Sequence, residues 1–389
     1  MSGSNQSDPV PLEVIPLKII DVKAFPLTLP FRKGPLSVHG ASKIIVVVKI
    51  LTDEGITGIG EPCAAFRTAP AISSLVEHSL KPYLIGQNPL EVERIWNEMY
   101  RGTFNFGGKG LAICAMSGIE QALWDIAGKA YGIPVYQMLG GASQKRLQGY
   151  ASLYRYGNSR DLTMALEECL RQGYTAIKLH QSDIESVKVA REVVGDGIHL
   201  MVDVNGAWSR QKAIEMAKRF QEYGIFWLEE PIWPGDDYEG LAMLRAAVNV
   251  PIALGENEYN LFGFRDAAAG KAADIIQPSV AKIGISQGKK AMILAHAWNL
   301  LISPQCFYLG PALSATLHLS ISDPACLFME TLIDPLEQEV FIEPIRPKDG
   351  YWEVPAKPGL GVEINDETVT KYPYTGEDPI PFWCRPESH

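Results

Sequence analysis

The chain has 389 residues, with Lys+Arg 35 against Asp+Glu 45 and a formal net charge of −10. At about 150 residues per domain that is two or three domains, enough to bury a core without disulfides or structural metal. Hydrophobic residues at 47% and charged residues at 21% match soluble globular proteins, and the acidic balance argues against nucleic acid and anionic membrane as partners.

The cysteines Cys63, Cys114, Cys169, Cys306, Cys326 and Cys384 are scattered, with no Cys-x-x-Cys pair, which excludes zinc ribbons and thioredoxin chemistry. The first stretch, Met1 to Asp8, is polar and lacks the apolar centre of a signal peptide. No apolar run approaches the roughly 18 residues that span a bilayer. A cytoplasmic enzyme is expected.

After a leader of about eight residues expected to be disordered, Lys43–Ile50 is β-branched and is followed by the turn signal Thr52-Asp-Glu-Gly55. Ile56–Gly60 closes the hairpin. From Ser73 to about Gly141 the pattern is helical, and Leu111–Tyr131 carries apolar residues at three- and four-residue intervals before Gly132-Ile-Pro134 stops it. Residues 1–145 thus read as an α+β unit.

From 146 to 340 the pattern changes. Eight short β-rich runs alternate with amphipathic stretches: 149–154, 176–179, 199–202, 225–228, 252–254, 273–276, 300–303 and 327–329. Lys178, Asp203, Glu229, Glu256, Ser279, Gln305 and Glu330 fall at or just past these runs, at intervals of 23 to 27 residues. A strand, a helix and two short loops take about 25 residues. The period predicts an α/β chain with a (β/α)8 barrel whose active site lies on the rim at the strands' C-terminal ends. The segment 341–389 is rich in Pro and Gly, lacks the period and is expected to pack back on the first unit. Two glycine motifs mislead: Gly55-x-x-Gly58-x-Gly60 has the wrong order for a dinucleotide loop, and Gly107-Gly-Lys-Gly110 lacks a P-loop's spacing.

Asp203, Glu229 and Glu256 end three consecutive runs. Three carboxylates on one rim repel each other unless a cation joins them, and three hard oxygens with positions left open suit Mg²⁺. The competing reading is that each acid caps the helix after its strand. Lys178 and His180, two apart on a strand, point the same way into the barrel mouth. A buried ammonium there calls for an anion.

The segments Ile177-Lys-Leu-His180, Asp203-Val-Asn205, Glu229-Glu-Pro231, Gly255-Glu-Asn257, Pro278-Ser-Val-Ala-Lys-Ile-Gly284 and Pro358-Gly-Leu-Gly-Val-Glu-Ile364, with Ala122-Leu-Trp-Asp-Ile126, resemble the enolase superfamily. The likeness is to its mandelate racemase and muconate lactonizing branch, over about residues 17–365. The resemblance implies a modified TIM barrel under an N-terminal α+β capping domain completed by the C-terminal tail. It implies Mg²⁺-assisted removal of the proton α to a carboxylate, giving an enediolate. By position it makes Asp203, Glu229 and Glu256 the metal ligands, Lys178 the electrostatic partner of the substrate carboxylate, His180 the base and Glu330 an acid facing that carboxylate.

Ser279 and Gln305 stand where racemases carry an Asp and a His, so the base on the opposite face is missing and a two-base racemisation is disfavoured. Asn205, Lys282, Gln305, Ser279, Tyr308, Arg67 and His39 are candidate substrate contacts, with Phe66, Tyr154, Arg155 and Trp233 beside them. The resulting expectation is a sugar-acid dehydratase. The alternative is a cycloisomerase acting on a ring or lactone, ahead of a racemase or epimerase and a non-catalytic binding protein. The substrate would be a small carboxylate, and the resemblance implies a homo-oligomer.

Overall fold

The computed structural model describes residues 17–32, 41–64 and 67–376; the polar leader, His39, Phe66 and Cys384 lie outside the described residues. Strands β1 (Ile19–Pro30), β2 (Ser42–Thr52) and β3 (Thr57–Gly60) form an antiparallel sheet in the order β1-β2-β3. The sequence reading started the meander at Lys43 and missed β1, whose Pro26 and Pro30 interrupt the strand pattern. That strand lies on the sheet edge, where the missing N–H of proline breaks little. The tail runs along its open side: Tyr374 N donates to Pro26 O at 3.0 Å and Thr28 N to Tyr372 O at 3.1 Å.

The helix Leu111–Tyr131 ends as its sequence signals, with Gly132 at φ 70. It packs on β3 with almost no clearance. A Cβ on Gly58 would stand 2.1 Å from Ala122 O, and one on Gly60 1.9 Å from Gly118 O. The glycine spacing that imitates a nucleotide loop is therefore a sheet-to-helix contact.

Eight parallel strands follow: β4 (Leu147–Ser152), β5 (Ala176–Leu179), β6 (His199–Asp203), β7 (Leu228–Glu229), β8 (Ile252–Leu254), β9 (Ile275–Ile276), β10 (Leu301–Ile302) and β11 (Met329–Leu332). Their order is β10-β9-β8-β7-β6-β5-β4-β11. A parallel bridge between Ile302 and Cys326, with Leu327 N on Ile302 O at 2.9 Å, joins the two ends. A helix separates each pair of successive strands, but none follows β11 directly among the described residues; instead β12 (Tyr351–Trp352) pairs antiparallel with β4. The ring is a (β/α) barrel modified at its last unit.

The first unit is stitched over the barrel by buried polar groups. Glu120 accepts hydrogen bonds from Ile285 N and Ser286 N, both 2.7 Å, and Glu61 Oε2 accepts one from Ala312 N at 3.0 Å. Asp125 binds Ile59 N at 3.0 Å through one oxygen and Leu360 N at 2.8 Å through the other, with Lys129 Nζ 2.9 Å away. Thus two distant segments of the family resemblance meet at one carboxylate. No helix among the described residues is long and apolar enough to cross a membrane.

Candidate active site and metal centre

Asp203 and Glu229 are the last residues of β6 and β7, and Glu256 lies two residues past β8. One oxygen from each lies within 4.8 Å of the others. They do not cap the following helices: Ser209, Asp237 and Asn260 do, each accepting from the first-turn backbone N–H groups. That removes the competing reading of the three acids and leaves their carboxylates for one another.

Lys178 is 1% exposed and is surrounded by anions. Its Nζ lies 2.9 Å from Glu229 Oε1, 2.9 Å from Glu330 Oε1 and 3.4 Å from Asp203 Oδ2. Burial alone would strip its proton, but Glu229 and Glu330 outweigh burial and hold it well above the usual lysine range. The same charges act on the acids. Burial raises Asp203, yet Lys178 and His180 pull it below the usual carboxylate range. Burial pushes Glu229 well above that range despite Lys178, and Asp203, Glu330 and Glu256 add to the rise.

His180 leaves β5 beside Lys178. Its Nδ1 faces the Leu153 carbonyl oxygen, which can only accept, so Nδ1 carries a proton and the ring is held in this orientation. Nε2 points at Asp203 Oδ2, 3.2 Å away. Glu330 is buried in β11 and accepts from Cys306 N at 2.7 Å.

The second tier was only partly legible. Glu229 Oε2 is fixed by Trp227 Nε1 at 3.0 Å and Gln277 Nε2 at 2.8 Å, and Lys178 Nζ sits 5.5 Å from the Tyr150 ring centre. Sequence reading missed Trp227, Gln277 and Tyr150. A signal existed for two of them, since Trp227 and Gln277 stand two residues before Glu229 and Ser279, the spacing that puts side chains on one face of a strand.

The remaining candidates divide. Lys282 Nζ lies 3.7 Å from Glu256 Oε1 and donates to Asn257 Oδ1 at 2.7 Å. Gln305 and Asn205 each keep a buried side-chain oxygen without a hydrogen-bond donor. Ser279 Oγ stands 3.5 Å from the Tyr308 hydroxyl. Tyr154 is buried between the rings of Phe31 (5.8 Å) and Phe307 (5.0 Å), and Arg155 reaches Ser182 Oγ at 3.4 Å. Arg67 lies on an exposed loop with φ 70, and Trp233 is 74% exposed.

The donor set suits a hard divalent cation. Among the described residues, Asp203, Glu229, Glu256 and Glu330 make ion-pair contacts with the ammonium groups of Lys178 and Lys282, so the carboxyl groups outnumber the lysines that meet them. Asp203 Oδ2, buried and without a regular hydrogen bond, is the oxygen such an ion would satisfy.

Known families agree with this geometry. The mandelate racemase / muconate lactonizing enzyme N-terminal domain matches residues 18–140, and the enolase C-terminal domain-like family matches residues 161–368. The chain belongs to the enolase superfamily. Within the mandelate racemase and muconate lactonizing family it is 33% identical to an arabinonate dehydratase of Saccharolobus solfataricus, covering 84% of this chain and 90% of that one. It is 31% identical to a D-galactarolactone cycloisomerase of Agrobacterium fabrum, covering 89% and 95%. Among solved structures it resembles the 3,6-anhydro-D-galactonate cycloisomerase of Zobellia galactanivorans, with a TM-score of 0.82, 30% identity and coverage of 92% and 100%. A (β/α) barrel carries its active site at the C-terminal ends of its strands, which is the rim where these side chains gather.

Proposed function

We propose that the chain is a Mg²⁺-dependent sugar-acid dehydratase. The observation that carries the reading is a single histidine on this rim: His180 Nε2 is directed at the acid cluster, 3.2 Å from Asp203 Oδ2, while the positions after β9 and β10 carry Ser279 and Gln305, which exchange no proton at neutral pH. Asp203, Glu229 and Glu256 would hold Mg²⁺, which would neutralise charge developing on the substrate carboxylate as its α proton leaves.

The chain's own groups account for the other roles. Lys178, kept as an ammonium by its carboxylate neighbours, binds the substrate carboxylate and is not free to act as base. His180 Nε2 takes the C2 proton, and the electrons of that bond move toward the carboxylate. The pair then forms the C2–C3 double bond as the C3–O bond breaks. The imidazolium returns its proton to the departing oxygen, so water leaves and the enol relaxes to the 2-keto-3-deoxy acid. Glu330, Gln305 and Asn205 supply hydrogen-bonding groups around the substrate, and Lys282 keeps Glu256 in place.

A second reading, cycloisomerisation, uses the same residues and differs only in that the leaving oxygen belongs to a ring or lactone and stays attached. Relatives with both activities support keeping it. The expected setting is a cytoplasmic homo-oligomer. The test is a panel of aldonic acids, aldaric acids and their lactones with Mg²⁺, scored for 2-keto product. Consumption of open-chain acids supports dehydration, and consumption of lactones alone supports cycloisomerisation. No turnover of any member would overturn both.

A further inference from the structure

A third lysine lies near the barrel mouth, and neither the metal centre nor the proton relay uses it. Lys43 is near the start of β2 in the first unit, yet its Nζ sits 4.6 Å from the Phe307 ring centre and 5.7 Å from that of Tyr308, both on the loop after β10. Among the described residues it makes no hydrogen bond or ion pair, unlike Lys178 and Lys282, each of which has a carboxylate within reach. Glu61, the carboxylate whose charge acts most strongly on it, has one oxygen on Ala312 N and the other buried without a donor. Burial pulls the Lys43 ammonium below the usual lysine range, while Glu61, Cys63, Glu330 and Cys306 pull the other way. Aromatic faces recover only part of the hydration a buried ammonium gives up.

Its position relative to the proton relay is bounded. The Phe307 ring centre is 5.7 Å from that of His180 and 4.6 Å from Lys43 Nζ, so the two groups are no more than about 10 Å apart. A six-carbon acid can bridge such a separation. We propose that Lys43 receives a second carboxylate at the far end of the substrate, so that the enzyme prefers aldaric acids, or lactones retaining a free carboxylate, over aldonic acids. This rests on the sugar-acid reading above and narrows it to dianionic substrates. Phe307 and Tyr308 exclude water around the ammonium, which strengthens a charge-assisted contact.

The experiment measures binding by calorimetry, and kcat/KM in parallel, for the aldaric and matching aldonic acids of galactose, glucose and mannose in Mg²⁺. It uses wild type, Lys43→Gln and Lys43→Arg, each checked by thermal melting. The best aldaric acid should bind wild type about tenfold to a hundredfold more tightly than its aldonic partner. Lys43→Gln should erase most of that ratio, and Lys43→Arg should keep it. Equal binding of the two classes by wild type, or a Lys43→Gln loss that is the same for both, would overturn the assignment while leaving the dehydratase reading intact. Failure of every sugar acid and lactone to bind or turn over would overturn both readings.

Discussion

His180 and Lys178 leave β5 two residues apart among different neighbours, which suit the roles proposed for them: three carboxylate oxygens hold the lysine's proton, and one carbonyl oxygen accepts from the histidine's Nδ1. His180→Asn should therefore abolish exchange of the substrate α proton in D2O by at least about a thousandfold, within the range of general-base losses, while leaving Mg²⁺ affinity little changed. Exchange surviving in that variant but lost in Lys178→Met would reverse the roles. Gln277 acts at one remove, through the Glu229 oxygen it holds at 2.8 Å. Gln277→Leu should weaken Mg²⁺ binding about tenfold to a hundredfold, as read by metal titration of the enzyme alone. The acids were legible in the sequence because residue type and spacing coincide at strand ends. Lys43 was not, because its aromatic neighbours come from a loop more than 250 residues away and nothing local marks it.

The helix Pro311–Ile321 is buried along its whole length, and His318 ties it to two other segments. Nε2 donates to Leu360 O at 3.0 Å, and Nδ1 accepts from Tyr136 N at 3.2 Å, so the ring fits only when neutral. Burial pulls His318 from its usual 6.5 down to about 4. A depressed histidine binds its proton more readily in the unfolded chain, so its contribution is complete above about pH 6.5 and is lost as pH falls toward 4. That loss is on the order of 3 kcal/mol. An NMR titration of the histidine rings should show the His318 ring neutral to near pH 4, its resonance assigned by His318→Gln. A midpoint near 6.5 would refute the burial assigned to it. The element scale also shows what pattern reading can and cannot find. The helix Leu111–Tyr131 was read to the residue because its period and its stop signal agree. Strand β1 escaped because proline on an edge strand looks like a break; the runs at 176–179 and 252–254 coincide with β5 and β8, while those at β7, β9 and β10 were read too long where apolar loops adjoin the strands. Ile225 and Phe226, for instance, precede β7.

At the scale of the molecule, a seam of buried carboxylates of the first unit accepts backbone N–H groups from distant segments: Glu61 and Glu120 from the barrel, and Asp125 from Leu360 in the C-terminal segment. The sequence period revealed the barrel but not this seam, because partners so far apart in the chain leave no local pattern. The seam holds the first unit against the barrel, where His180, the acid cluster and Lys43 come together. If His180 is the sole proton carrier, C2–H and C3–O must leave from the same face, and only one C2 configuration can react. The decisive measurement follows the Mg²⁺-loaded wild-type enzyme by NMR in D2O with stereodefined pairs of C2-epimeric sugar acids. The account predicts a 2-keto-3-deoxy product from one epimer of a pair only, no deuterium at C2 of the other, and loss of both turnover and exchange on chelation with recovery on adding Mg²⁺ back. Similar exchange at C2 of both epimers, or full activity after exhaustive chelation, would contradict it.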